Sequence, residues 1–162
     1  MKKNIKYLIM DVDGTLTDGK IYMGSNGEVF KAFNIKDGYG IANILIHAGI
    51  TPVIVTGRES SIVLKRADEL KIKEVYQGVT DKADKIRQIT DDLGCVAVIG
   101  DDINDISAMK AVRQAGGLAG CPADASQRVK EIVDYVCHAR GGDGAVREFI
   151  EWILGPEEVC LL

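Results

Sequence analysis

Asp11-Val12-Asp13-Gly14-Thr15 follows directly on the apolar run Tyr7-Leu8-Ile9-Met10, so two carboxylates emerge where a buried strand ends. Side chains alternate along an extended segment, which puts Asp11 and Asp13 on the same side, and Gly14 then permits a tight turn. Two like charges so close repel. A divalent cation would offset the repulsion, or one carboxyl would keep its proton and act as a general acid. A second β-branched run, Val53-Ile54-Val55, delivers Thr56-Gly57-Arg58, and a third, Val96-Ala97-Val98-Ile99, delivers Gly100-Asp101-Asp102 with Asp105 shortly after. Lys82 lies between them, early in a helical pattern. Singly, each signal has an ordinary reading: Asp-x-Asp-Gly is turn sequence, Thr56 a helix cap and Lys82 one of many solvated lysines. Together, strand ends supplying Asp, Thr and Asp, plus one Lys, form a constellation that holds a phosphoryl group beside a hard cation.

The elements that must position these residues alternate between strand-like and helix-period segments, the pattern of an α/β domain with a mostly parallel sheet. The sequence predicts strands near 5–10, 51–55, 74–76, 96–99, 116–119 and 133–136. It predicts helices near 38–48, 60–70, 81–92, 103–113, 124–130 and 144–153. In helix 60–70, Ile62, Ala67 and Leu70 share one apolar face. In such sheets, ligands bind beyond the carboxyl ends of the strands, where the strand order switches, so the four signals can converge on one crevice.

One insertion breaks the alternation. Lys20-Ile21-Tyr22-Met23 and Glu28-Val29-Phe30-Lys31-Ala32-Phe33 flank Gly24-Ser25-Asn26-Gly27, a β-hairpin pattern with an Asn-Gly turn over about 20–34. A lone hairpin is marginal in water unless its apolar side is covered, so Tyr22, Phe30 and Phe33 point to subunit contact or to folding back on the domain.

A chain of 162 residues with 46% apolar and 27% charged residues reads as one soluble domain, residues 1–162. The longest apolar runs fall far short of a membrane span, and Met1-Lys2-Lys3 is not followed by a signal-type cleavage site, so a cytoplasmic protein with no membrane partner is expected. Cys95, Cys121, Cys137 and Cys160 form no Cys-x-x-Cys pair, which argues against zinc and redox roles and for incidental thiols. His47 and His138 are too few for a histidine-built site and read as structural. A net charge of −4 without a basic stripe argues against a nucleic-acid partner.

In these motifs the chain resembles the haloacid dehalogenase superfamily of phosphatases: Asp-x-Asp-Gly, a strand-end Thr, a Lys, and Gly-Asp-Asp with a further Asp occur in order over residues 11 to 105. Arg140-Gly141-Gly142-Asp143-Gly144-Ala145-Val146-Arg147-Glu148, in a C-terminal tail from about 139, and Phe33-Asn34-Ile35-Lys36-Asp37-Gly38 resemble segments of the 3-deoxy-D-manno-octulosonate 8-phosphate phosphatases. The resemblance implies a doubly wound, Rossmann-like haloacid dehalogenase fold, capless, with a protruding hairpin. It implies Asp11 as nucleophile and Asp13 as acid and then base. Magnesium is the expected cofactor, held by Asp11, the backbone carbonyl of Asp13 and Asp101, since an all-oxygen set suits that ion. Thr56, Gly57 and Lys82 would hold the phosphoryl oxygens, and Asp102 and Asp105 would orient Lys82 or metal-bound water.

With only the hairpin in the first cap position and no room for a cap in 57–81, the site must be roofed from elsewhere. The resemblance implies a homotetramer in which hairpins form a central barrel and the tail, with Gly141 and Gly142, reaches an adjacent site. Arg58, Arg66 and Arg140 are candidates for the hydroxyls and carboxylate of an anionic sugar acid. The expected reaction is hydrolysis of 3-deoxy-D-manno-octulosonate 8-phosphate in lipopolysaccharide precursor synthesis. Phosphatases for 2-keto-3-deoxynononate 9-phosphate are the nearest alternative, and they carry Glu where this chain has Arg58. Non-enzyme alternatives are an oligomerisation module and a response-regulator receiver domain, whose acid pair precedes its phosphorylated Asp and whose Lys comes last. Here the Asp101-Asp102 pair follows Lys82.

Overall fold

The structure is a computed structural model that describes residues 4–159, so Cys160 and Met1-Lys2-Lys3 lie outside the described residues. Strands β1 (Tyr7–Met10), β4 (Thr51–Val55), β5 (Glu74–Tyr76), β6 (Val96–Ile99), β7 (Leu118–Cys121) and β8 (Tyr135–Val136) form one sheet in the order β5-β4-β1-β6-β7-β8. Every pairing in it is parallel. With the hairpin strands β2 (Tyr22–Gly24) and β3 (Gly27–Phe30) set aside, the order runs outward from β1 in both directions, which is the doubly wound arrangement. Both faces are covered, which explains the unbroken apolar strands. Leu8 and Met10 of β1 pack with Ile41, Ile44 and Leu45, which follow α1 (Ile35–Tyr39), and with α2 (Ser61–Glu69) and α6 (Ala145–Leu154), whereas Ile9 packs with α3 (Lys82–Ile89), α4 (Ile106–Gln114) and α5 (Gln127–Lys130).

Boundaries moved for local reasons. α1 starts earlier than expected because the Asn34 side chain accepts a bond from Lys36 N at 2.8 Å, and it continues into a wider π-type segment, Gly40–Leu45. The apolar face of α2 is Val63, Ala67 and Leu70; Ile62 is half-buried. α3 stops at Ile89 because Thr90 is extended (φ −150, ψ 141). α4 proper begins at Ile106, after a short 3-10 turn, Ile103–Asp105. β7 starts at Leu118 because Gly116 takes φ 93 in the preceding turn. A last helix, α7 (Pro156–Val159), has no counterpart in the sequence reading.

The hairpin forms, but its loop is Ser25-Asn26, with Gly27 (φ 110) as the first residue of β3 rather than the second of an Asn-Gly turn. Tyr22 and Phe30 stack on one another with ring centroids 4.2 Å apart. Ile21, Met23, Val29 and Phe30 are each more than half exposed. Phe33 packs instead against its own core and under the Arg66 guanidinium, which corrects the reading of Phe33 as a subunit contact.

Candidate active site

Beyond the carboxyl ends of β1, β4 and β6 lies a crevice of about 270 Å³ that Asp11, Asp13, Thr56, Gly57, Arg58, Asp101 and Asp102 all line. β1 and β4 pair in register, as do β1 and β6, so the residues following each strand arrive at the same level. Asp11 N donates to Ile99 O at 3.1 Å, fixing the first turn past β1 against β6. Thr56 is buried and held through its backbone to Tyr76 O and Val79 N; Ser60, not Thr56, stands at the N-cap position of α2, with its hydroxyl turned to Glu28.

Lys82, the first residue of α3, sends its ammonium into the crevice floor, 2.7 Å from Asp11 Oδ1 and 2.6 Å from Asp105 Oδ1. All three side chains are nearly inaccessible, so neither the charge nor its partners can be hydrated and they depend on one another. The other Asp105 oxygen accepts from the backbone N of Asp101 (3.0 Å) and Asp102 (3.2 Å), shaping the loop that presents Asp101. Thr15 Oγ1 donates to Asp101 Oδ1 at 3.1 Å. Gly14, at φ 93, has to be glycine: a Cβ there would lie 2.1 Å from Asp101 Oδ2.

Electrostatics follow burial. Desolvation, reinforced by Asp105, pushes Asp11 up to about 6 against the pull of Lys82. Burial, with the charges of Asp11 and Asp105, pushes Asp101 up to about 7. Burial disfavours the Lys82 ammonium, but Asp11 and Asp105 outweigh it and hold its pKa above the ordinary lysine value. Carboxylate oxygens of Asp11, Asp101 and Asp105 lie within 4.8 Å of one another. Acids that resist ionisation without a counter-charge, in an all-oxygen set with no His or Cys, fit a hard divalent cation. Asp105 is already committed to Lys82 and to two backbone donors, which leaves Asp11 and Asp101 as the side chains best able to ligate.

Several expectations need correction. Asp102 does not orient Lys82; its carboxylate caps the 3-10 turn by accepting from Ile103 N at 2.8 Å, and Asp105 is the acid on Lys82. Arg66 is not in the crevice, because it stacks over Phe33, pairs with Glu69 Oε2 at 2.9 Å and reaches Asn34 O. Gly141 and Gly142 pack on the loop after β1 of their own chain: a Cβ on Gly141 would sit 1.9 Å from Gly14 O, and Gly142 N bonds Thr15 O at 3.0 Å. Arg140 lies outside that crevice, exposed and paired with Asp124 at 3.4 Å.

The sequence reading missed Lys31 and Glu28. Just past β3 the chain turns inward and buries the Lys31 ammonium against Asp13, with Glu28 Oε1 2.9 Å away. Arg58 Nη1 stands 3.7 Å from Asp13 Oδ2 and 3.4 Å from Glu28 Oε1. The Asp13 carboxylate is therefore paired from the hairpin side, by Lys31, and by Arg58. The available signal was a Glu and a Lys three residues apart in an otherwise apolar strand.

A doubly wound parallel sheet with paired strand-end aspartates, a buried Lys and a third acidic strand end defines a hydrolase of the haloacid dehalogenase superfamily. No family model matches the chain. Among curated proteins, KdsC of Salmonella typhi, a 3-deoxy-D-manno-octulosonate 8-phosphate phosphatase, is 43% identical over 156 residues, 94% of this chain and 80% of the relative. The crystal structure of the Yersinia pestis phosphatase of the same name superposes with a TM-score of 0.86 at 43% identity, covering 94% of this chain and 82% of that one. The Moraxella catarrhalis phosphatase, solved in complex with magnesium ion, phosphate ion and KDO, gives a TM-score of 0.84 at 41% identity over 94% of this chain and 87% of that one. The chain belongs to the 3-deoxy-D-manno-octulosonate 8-phosphate phosphatase family.

Proposed function

We propose that this single-domain protein is a magnesium-dependent phosphatase that hydrolyses 3-deoxy-D-manno-octulosonate 8-phosphate to the free sugar acid and phosphate. The observation that carries the reading is Asp11, pinned at its carboxylate by Lys82 at 2.7 Å and facing Asp101 in a crevice that Asp13, Thr56 and Arg58 also line. Asp11 and Asp101, with the Asp13 carbonyl, would hold magnesium, which when bound neutralises phosphoryl charge and offsets the repulsion between the acids. An Asp11 oxygen attacks phosphorus; a P–O bond to the protein forms as the bond to the sugar oxygen breaks, and Asp13 gives that oxygen its proton. Asp13 then takes a proton from water, which attacks the aspartyl-phosphate, releasing phosphate and restoring Asp11. Lys82 and Thr56 hold phosphoryl oxygens in place without reorganising.

Arg58 lines the crevice, 40% exposed and only loosely paired through Nη1 with Asp13 at 3.7 Å and Glu28 at 3.4 Å, which suits it to an anionic group of the sugar acid. Arg58 also favours the eight-carbon over the nine-carbon substrate. The exposed apolar face of the hairpin supports a homotetramer in which neighbouring copies roof each crevice, and Arg140 is the residue we assign to a neighbour's site. Among the described residues no helix is long and apolar enough to cross a membrane, and we place the enzyme in the cytoplasm, supplying a lipopolysaccharide precursor. A panel of sugar-acid phosphates tests the substrate: phosphate release from the eight-carbon ester should exceed that from the nine-carbon ester at least about tenfold in kcat/KM, a difference of one well-placed contact. Equal rates would remove the substrate assignment.

A further inference from the structure

The hairpin's buried charge is its least expected feature. Its neighbours Ile21, Met23, Val29 and Phe30 are 52%, 65%, 60% and 51% exposed, yet the Lys31 side chain retains only 1% exposure. A lysine rarely gives up its hydration unless carboxylates replace the water. Here two do: Asp13 Oδ1 contacts the ammonium from the crevice side, and Glu28 Oε1 lies 2.9 Å away on the hairpin side. Glu28 is itself anchored, since Ser60 Oγ donates to its Oε2 at 2.8 Å and Ser60 N bonds Gln77 Oε1 at 2.6 Å. The linked groups thus run from Asp13 through Lys31 and Glu28 to the start of α2. Lys82, which fixes Asp11, spends its ammonium on Asp11 and Asp105 instead.

We propose that Lys31 is a positioning residue for the reaction, holding the Asp13 carboxylate at the crevice mouth, with Glu28 and Ser60 fixing Lys31 in turn. The assignment rests on the reading of Asp13 as acid and base. Arg58, 40% exposed at its side chain, is free to leave Asp13 for a ligand; the buried ammonium is not. The hairpin therefore sets where the acid/base group stands, and without Lys31 the carboxylate can rotate away from the departing sugar oxygen.

The test is a double-mutant cycle on the magnesium-loaded protein with its sugar-acid phosphate, recording kcat and KM separately. Lys31→Met should lower kcat by about 10²-fold, the scale of lost acid–base assistance, with KM changed by less than about threefold. In an Asp13→Asn background the same change should lower the residual kcat by less than about twofold, because a residue acting only through Asp13 has nothing left to position. Lys31→Arg should recover most of the loss. Because Lys31→Met strands two carboxylates together, the pair replacement Glu28→Gln/Lys31→Met, which leaves no uncompensated buried Glu28, serves if the single variant does not fold; it should show the same dependence on Asp13. An equal loss in the wild-type and Asp13→Asn backgrounds would overturn the role of Lys31 while leaving Asp13 intact. Full activity of Asp13→Asn itself would overturn the acid/base reading, and this inference with it.

Discussion

The two aspartates of Asp11-Val12-Asp13 stand two residues apart in sequence and in different environments. Asp11 belongs to the sheet: it follows directly on a strand paired on both sides, its cation rises from the first turn of α3, and Asp105 and Asp101 close around it. Asp13 belongs to the hairpin: its partners are Lys31, from just past β3, and the half-exposed Arg58, with Glu28 between them. Close-packed strand ends suit the group that must meet phosphorus in line, since small misplacements there are costly. The group that serves the two proton transfers is held from the other side, by the buried Lys31 that Glu28 and Ser60 fix in turn.

This contrast orders the expected effects of mutation. Asp11→Asn should reduce turnover by at least about 10⁴-fold, because an amide cannot form the acyl-phosphate, and it does so for every ester. Steady-state phosphate release checks this, and activity within tenfold of wild type would break the contrast at its stronger end. Asp13→Asn should cost about 10²–10⁴-fold and depend on the leaving group. Removing the metal with a chelator should silence the enzyme reversibly, and Asp101→Ala should raise the magnesium needed for half-maximal rate. Since Asp101 keeps its proton up to about pH 7, magnesium affinity measured by titration calorimetry should weaken as the pH falls through that value.

Smaller effects concern the frame. Gly141→Ala should destabilise by about 1–3 kcal/mol and slow catalysis, because a methyl group 1.9 Å from Gly14 O must displace the loop that carries Asp13. Thermal melts and kcat measured together check it. Glu148 accepts backbone bonds from His138 and Ala139 and side-chain bonds from Tyr135 and His138, which outweigh its desolvation and hold it at about 2 instead of 4.5. A depressed carboxyl stabilises fully above its unfolded pKa, so this contribution should be present above pH 4.5 and vanish as the pH falls toward 2. Glu148→Gln should cost about 1–2 kcal/mol at neutral pH and nothing at the acid end, as denaturant melts at several pH values would show.

What the sequence made legible divides along the same line. Asp11, Thr56 and Asp101 announce themselves because apolar runs end abruptly in polar residues, and strand pairing alone brings such ends together, while Lys82 stood out only beside them, as a lysine at the start of a helix. Asp105 was legible as a nearby acid, though not as the group shaping the Asp101 loop. Lys31 and Glu28 were not legible, since a Glu and a Lys on a two-stranded ribbon ordinarily face water, and only the inward turn just past β3 brings them against Asp13. Arg66 and the Gly141-Gly142 pair went the other way: contacts to a sugar acid were read into residues that, within this chain, fasten α2 to Phe33 and seat the tail on the β1 loop. Periodicity reports burial of an element's face, and it cannot report which loop another loop will touch.

The most direct test of the division is a rapid-mixing experiment with p-nitrophenyl phosphate, whose leaving group needs no proton. In Asp13→Asn, with magnesium present, a burst of nitrophenolate stoichiometric with enzyme should precede a slow steady state, because Asp11 still takes the phosphoryl group and only its hydrolysis lacks a base. Asp11→Asn should show no burst. A burst that survives in Asp11→Asn, or Asp13→Asn turning over linearly at the wild-type rate, would contradict the assignment of the two aspartates to separate tasks.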